Sequence, residues 1–256
     1  MSIFQKMVMG ARARLANEVE LCVLPNEERA EYFQRQTNSK KPVKCLWNVP
    51  RYEEIRQSKK RPEPNSPLRI FYGGSLSSDR LPPVVLEEVV KLHPRVEVHI
   101  VGYATYQHRR LLADINSFAN KGLLKFYGPQ SRGQIWAVAD LCEVALCLMP
   151  KKSNDLNLEW MVGASNKPFD AMARGLAVVV SDLPAWTSMY LEEPENVAGA
   201  GGDSGCRIPD AGGGSSAREM MNQDARNPVF RIPNPDKGYG IAIDPESKDS
   251  IQAGLT

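Results

Sequence analysis

The sequence predicts an α/β protein whose larger part is a doubly wound parallel sheet, and three observations predict it. Short apolar, β-branched runs alternate with segments of helical period from Leu68 to Leu191. The turns between them are short and marked by Gly or Pro, as right-handed crossovers require. The run from Leu176 to Val180 is unbroken and apolar, the pattern of a strand covered on both faces.

Composition sets the frame. With 256 residues and 42% hydrophobic content, the chain can bury one large core or two modest ones. Lys and Arg number 32 against 30 Asp and Glu, a net charge of +2, which does not favour a nucleic-acid partner. The five cysteines, Cys22, Cys45, Cys142, Cys147 and Cys206, are scattered without zinc spacing and fit a reducing compartment. No segment reads as a signal peptide or approaches the roughly 20 apolar residues of a membrane span, so a cytoplasmic location is expected.

Taken in order, residues 2–18 carry Ile3, Phe4, Met7, Val8, Ala11 and Leu15 at helical spacing. A strand is expected over 20–24, a helix opening at Pro25-Asn26-Glu27-Glu28 and ending near Thr37, and a strand over 41–47. Residues 1–50 therefore read as the remnant of a second α/β domain, its end without its beginning. Residues 51–67 are charged and Pro-rich and read as an interdomain linker. The larger domain, 68–256, opens with a strand over 68–72 and the turn Gly73-Gly74-Ser75. There follow a helix near 82–92, a strand over 96–101, a helix near 105–119, a strand over 123–127, a helix near 131–139 and a strand over 143–149. A polar loop spans 151–164. Residues 194–238 are rich in Gly and other breakers and read as a disordered insertion. A last strand over 239–243 precedes a helix that the sequence does not finish.

The stretch from Ser165 to Ser181 concentrates the chemistry. Ser165 and Asn166 can cap a helix N-terminus, Pro168 fits its first turn, and Asp170 is placed near the positive end of the helix dipole. Gly175 ends the helix, and Ser181-Asp182 lie at the carboxyl end of the strand that follows, where open α/β sheets hold ligands. A helix start carrying Lys167 suits a phosphate. An ordinary capped αβ unit gives the same local pattern.

The order of Phe71-Tyr72-Gly73-Gly74-Ser75, Val98 to Gly102, Phe126-Tyr127-Gly128, Ser165 to Gly175 and Tyr239 to Glu246 resembles the C-terminal, Rossmann-like domain of GT-B glycosyltransferases of the group 1 (family 4) type. Asn48 falls where that family often has an asparagine before its linker. The resemblance implies that 68–256 binds a nucleoside diphosphate sugar and that an acceptor, of unknown identity, is held mainly by the other domain. Asp170 stands where the family usually has a glutamate bonded to the donor's ribose hydroxyls, and a carboxylate can accept from both. Gly74 and Ser75 match the loop approaching the pyrophosphate, where glycine permits close contact. Arg80 lies near a phosphate-binding basic position, and Asn166 and Lys167 match a variant in which the lysine and helix start share the diphosphate charge. The sequence departs from the family at Leu81, where a lysine is common, and at Val162, where the first acid of the paired-acid motif would fall.

Other readings stand beside these. Arg80 equally suits a solvated position at a helix start. His93, His99 and His108 lack metal spacing, and Trp136, Met149 and Trp160 suit packing. There is no DxD motif, no metal or other cofactor is indicated, and the leaving diphosphate would be stabilised by helix dipole and cation. The expected function is therefore a hexosyltransferase-type glycosyltransferase, or a fragment of one that is inactive alone. The alternative is a non-catalytic nucleotide-sugar-binding module paired with a separate acceptor-domain subunit. A sugar-nucleotide epimerase is a minor third option.

Overall fold

The computed structural model describes residues 2–56, 66–153, 155, 158, 160–191 and 240–255. Most of the 51–67 segment and all of the 194–238 stretch lie outside the described residues. The chain divides into two compact units, and the described parts of each are residues 2–48 and the remainder.

The smaller unit is α1 (Ile3–Glu18), β1 (Cys22–Leu24), α2 (Glu27–Thr37) and β2 (Val43–Cys45), with β1 and β2 paired in parallel. Ser2 and Gln5 close a capping box on α1, and Asn26 Oδ1 accepts from the Arg29 amide to start α2. The apolar stripe of α1 remains at the surface, with Phe4 75% and Met7 68% exposed. Of α1 only Ala16 is buried, because a two-stranded sheet offers the helix little area to cover.

The larger unit carries a six-stranded, all-parallel sheet. Its strands are β3 (Leu68–Leu76), β4 (Val96–Ala104), β5 (Lys125–Phe126), β6 (Val144–Cys147), β7 (Ala177–Ser181) and β8 (Gly240–Ile243), in spatial order β5-β4-β3-β6-β7-β8. The chain runs outward from β3 to β5, returns to the other side of β3 at β6, and runs outward again. The β3/β6 boundary is thus the point where strand order reverses. The helices are α3 (Pro83–Val90), α4 (Arg109–Asn120), α5 (Arg132–Ala139), α6 (Asn166–Ala173), α7 (Pro184–Tyr190) and α8 (Lys248–Leu255). Val85, Val89, Ile115 and Ile251 from α3, α4 and α8 pack with Ile70, Tyr72 and Ile100 on one face. Val138, Phe169, Met172 and Trp186 from α5, α6 and α7 pack with Phe71, Ala145 and Val178 on the other. This double cover explains why the strands read as continuous apolar runs.

Two local expectations differ from the structure. Gly73-Gly74-Ser75 is not a turn but the last part of β3, paired with Val101, Gly102 and Tyr103 of β4. Pairing continues because glycine occupies the facing position: a Cβ at Gly102 would lie 1.9 Å from the Gly74 carbonyl oxygen. Residues 51–56 are also built into the larger unit. Tyr52–Glu54 forms a 3-10 turn, and the Arg56 amide donates to the Ala173 carbonyl at 2.8 Å.

Candidate functional site

A cavity of about 330 Å³ opens at the carboxyl ends of β3 and β6, between α5 and α6. This is the switch point of the sheet, where the two halves diverge and leave a crevice above the strand ends. Gly74, Ser75, Arg80, Asn166, Lys167 and Asp170 all line it. They come from the end of β3, the approach to α3 and the first five residues of α6, so the topology gathers residues far apart in sequence.

One end is cationic. Phe71 and Tyr72 point into opposite core layers. Lys167, on the Phe71 side, crosses the end of β3 at Gly74 to reach Tyr72 on the other side. Its Nζ donates to Tyr72 Oη at 2.9 Å and lies 4.0 Å from the ring centroid. Gly74 opens that passage, since a Cβ there would stand 2.9 Å from Lys167 Cε. Tyr72 Oη in turn donates to the Ser75 carbonyl at 2.7 Å, tying the lysine to the strand end. Desolvation, with Arg80 adding like-charge repulsion, pushes the Lys167 pKa down to about 7. Among the described residues neither Lys167 nor Arg80 forms an ion pair; Arg80 Nη1 reaches only Ser75 Oγ, at 3.4 Å. This end of the cavity thus holds two basic side chains, neither of them in an ion pair among the described residues.

The other end is acidic and aromatic. Asp170 is half-buried, and desolvation raises its pKa while Arg132 opposes the rise. Arg132 Nη2 donates to Asp170 Oδ1 at 3.3 Å and to Glu54 Oε2 at 3.1 Å, and its Nε donates to Glu54 Oε1 at 3.2 Å. Trp136 lines the cavity with the guanidinium carbons of Arg132 and Arg174 at 4.5 and 5.3 Å from its ring. Arg174 is itself paired with Asp140 and donates to the Glu54 carbonyl at 3.0 Å. Cys147 forms part of the floor, where burial pushes its thiol up to about 12 and keeps it a neutral packing group.

No protein-family model matches the chain, and no curated protein does. Solved structures do match it. The E. coli trehalose-6-phosphate structure bound with UDP-2-fluoro glucose has a TM-score of 0.50 at 11% identity, over 95% of this chain and 53% of that one. The fold is that of the GT-B glycosyltransferases. Two further matches are the sucrose-phosphate synthase of Thermosynechococcus elongatus (TM-score 0.49, 10% identity, 98% and 51% coverage) and Anabaena HepE in complex with UDP and glucose (0.47, 14%, 72% and 50%). The chain spans about half the length of these structures.

Within this GT-B fold several features differ from the sequence expectation. Ser165 is the N-cap of α6 by position, but its side chain makes no capping hydrogen bond, and Asn166 is the first helical residue. The Ser165 amide donates to the Met161 carbonyl at 2.9 Å, closing a turn that precedes the helix. Ser165 thus supplies no side-chain cap to the first N–H groups of α6. Asp170 is the fifth helical residue, in the second turn rather than the first. Ser181 and Asp182 do not line the cavity. Ser181 Oγ is buried between strands, donating to the Met149 carbonyl at 2.6 Å and accepting from its amide at 2.9 Å. Tyr72, Arg132 and Glu54 escaped the sequence reading. The alternation of β3 placed Tyr72 in a core face, and nothing local joins Glu54 to Arg132. Of the histidines, His99 is buried beside Tyr127, with Nδ1 3.0 Å from its hydroxyl. Among the described residues no three His, Cys, Asp or Glu side chains converge as metal ligands.

Proposed function

We propose that this chain binds a nucleoside diphosphate sugar in the switch-point cavity and acts as the donor half of a glycosyltransferase. The observation that carries the reading is the polarity of the cavity. Lys167 and Arg80, neither in an ion pair among the described residues, face the glycine strand end and the start of α6, while the Asp170 carboxylate and the Trp136 indole occupy the opposite wall. A diphosphate suits the first end, because charge-assisted hydrogen bonds and the helix dipole act on it together. A ribose suits the second, because Asp170 can accept from both of its hydroxyls. The volume falls in the usual range for small-molecule sites. The same cations would stabilise the diphosphate as it leaves the sugar.

The reading includes an acceptor held by a second domain and a location in the cytoplasm. Among the described residues no helix is long and apolar enough to cross a membrane. The second reading is a binding module whose acceptor half is a separate subunit.

Titration calorimetry of the folded full chain with UDP, GDP, ADP and their sugars tests the first claim. Micromolar to millimolar binding of one of them is expected, and no heat with any of them contradicts it. Asp170→Ala should weaken nucleoside and nucleotide alike by about tenfold, the order of a lost hydrogen-bond pair. Lys167→Ala should weaken only the phosphorylated ligands. Transfer to any acceptor by the chain alone excludes the module.

A further inference from the structure

The sequence pattern treats 51–67 as a connector, yet the structure gives its first residues a defined place beside the cavity. The Arg56 amide bonds to the Ala173 carbonyl at the end of α6, and Arg174 bonds to the Glu54 carbonyl at 3.0 Å. The Glu54 side chain is oriented from its own turn, its Oε2 accepting from the Arg51 amide at 2.8 Å. Both of its oxygens then receive Arg132, at 3.1 and 3.2 Å, in the two-pronged geometry that fixes a guanidinium plane. The remaining reach of that guanidinium is to Asp170, at 3.3 Å.

From this geometry we propose that Arg132 is a positioning residue of the donor site, held by Glu54, and that it keeps Asp170 oriented as an ionised acceptor for the ribose. The inference rests on the functional reading above but concerns residues that reading does not use. It makes the nucleoside end of the site dependent on residues 51–56, which therefore belong to the binding machinery.

The charged and titratable groups acting on Asp170 are Arg132 from α5, Glu54 from the 3-10 turn and Cys147 from β6. Arg132 favours the ionised carboxylate, and Glu54 by its own charge disfavours it. This opposition separates two roles for Glu54. If it acts only as a nearby charge, removing it lowers the titration midpoint of Asp170. If it anchors Arg132, removing it frees the guanidinium and the midpoint rises.

The test is carbon-detected NMR titration of the Asp170 carboxyl in the ligand-free full chain, wild type against Arg132→Ala, Arg132→Lys and Glu54→Ala, with calorimetry of UDP, GDP and ADP on each. Arg132 is 49% exposed at its side chain, so its loss leaves the core intact. The midpoint should rise in Arg132→Ala and in Glu54→Ala and return part-way in Arg132→Lys. Affinity for the nucleotide that binds wild type should fall about tenfold in both alanine variants, with the acidic limb of its pH profile moved upward. An unchanged midpoint in Arg132→Ala, or a lowered one in Glu54→Ala, overturns the proposal. If wild type binds none of the three nucleotides, the functional reading fails, and the ligand-free titration still decides the relay.

Discussion

An ammonium set against a tyrosine ring, with another cation nearby and no carboxylate facing it, is poorly hydrated and gives up its proton easily. That is the position of Lys167, whose pKa falls to about 7 from 10.5. The unfolded chain binds the more protons between these values, so this group's contribution to stability rises with pH from about 7 to 10.5 and is smallest below 7. A bound diphosphate reverses the effect by favouring the charged form. Binding at pH 8 should therefore take up about one proton, seen as a dependence of the calorimetric heat on buffer ionisation enthalpy, and affinity should fall as pH rises above 7. Lys167→Met should abolish the uptake; uptake that persists contradicts the role. Gly74 serves the same side chain. Its φ of +125° strains any residue with a Cβ, and a methyl group there would stand 2.9 Å from Lys167 Cε, so that the lysine would have to shift. Gly74→Ala should cost about 1–3 kcal/mol in a urea melt and weaken nucleotide binding by displacing the lysine.

Between elements, Ser181 shows how local pattern and tertiary role diverge. A serine after an apolar strand reads as a ligand-side residue, because strand ends in open sheets carry function. Here its hydroxyl pairs the amide and carbonyl of Met149 beyond the end of β6, and so sets where the chain leaves the sheet. Ser181→Ala leaves two buried backbone groups unpaired and should cost about 1–3 kcal/mol, read as a lowered urea midpoint with an unchanged slope. Most of the strands were legible, since β3, β4, β6, β7 and β8 are largely apolar with breakers near their ends. Their limits were less so: β3 continues through Gly74 only because Gly102 faces it on β4. The start of α6 was legible from Ser165-Asn166-Lys167-Pro168, but the missing cap bond was not, because it depends on the preceding turn at Met161.

Across the whole molecule, the decisive fact is the return of the chain to β3 after β5, which sets β6 beside β3 and opens the crevice. No local pattern encodes that order; the alternation of strands and helices implied a doubly wound sheet, and the resemblance supplied its ligand edge. The six residues Gly74, Ser75, Arg80, Asn166, Lys167 and Asp170 were legible as motifs, whereas Glu54 and Arg132 meet across 78 positions and only the fold brings them together. The far face is closed by α8, which Glu88 of α3 ties down through Gln252 at 2.9 Å and Lys248 at 3.9 Å, while Lys91 at the end of α3 donates to the same carboxylate at 2.8 Å. Lys91 first and Gln252 second hold the Glu88 carboxyl below its usual 4.5, so its contribution is present above that value and lost as pH falls through the folded one. Amide exchange over 248–255 should accelerate selectively in that acidic window, and Glu88→Ala should show the same acceleration at neutral pH.

The most direct measurement is the structure of the full chain with the nucleoside diphosphate that it binds most tightly in calorimetry. The diphosphate should lie at Gly74, Ser75 and Lys167 and the ribose hydroxyls at Asp170, with Arg132 still bridging to Glu54. An ordered nucleotide bound elsewhere, or an empty cavity at saturating nucleotide, would contradict the assignment of the switch-point cavity as the donor site.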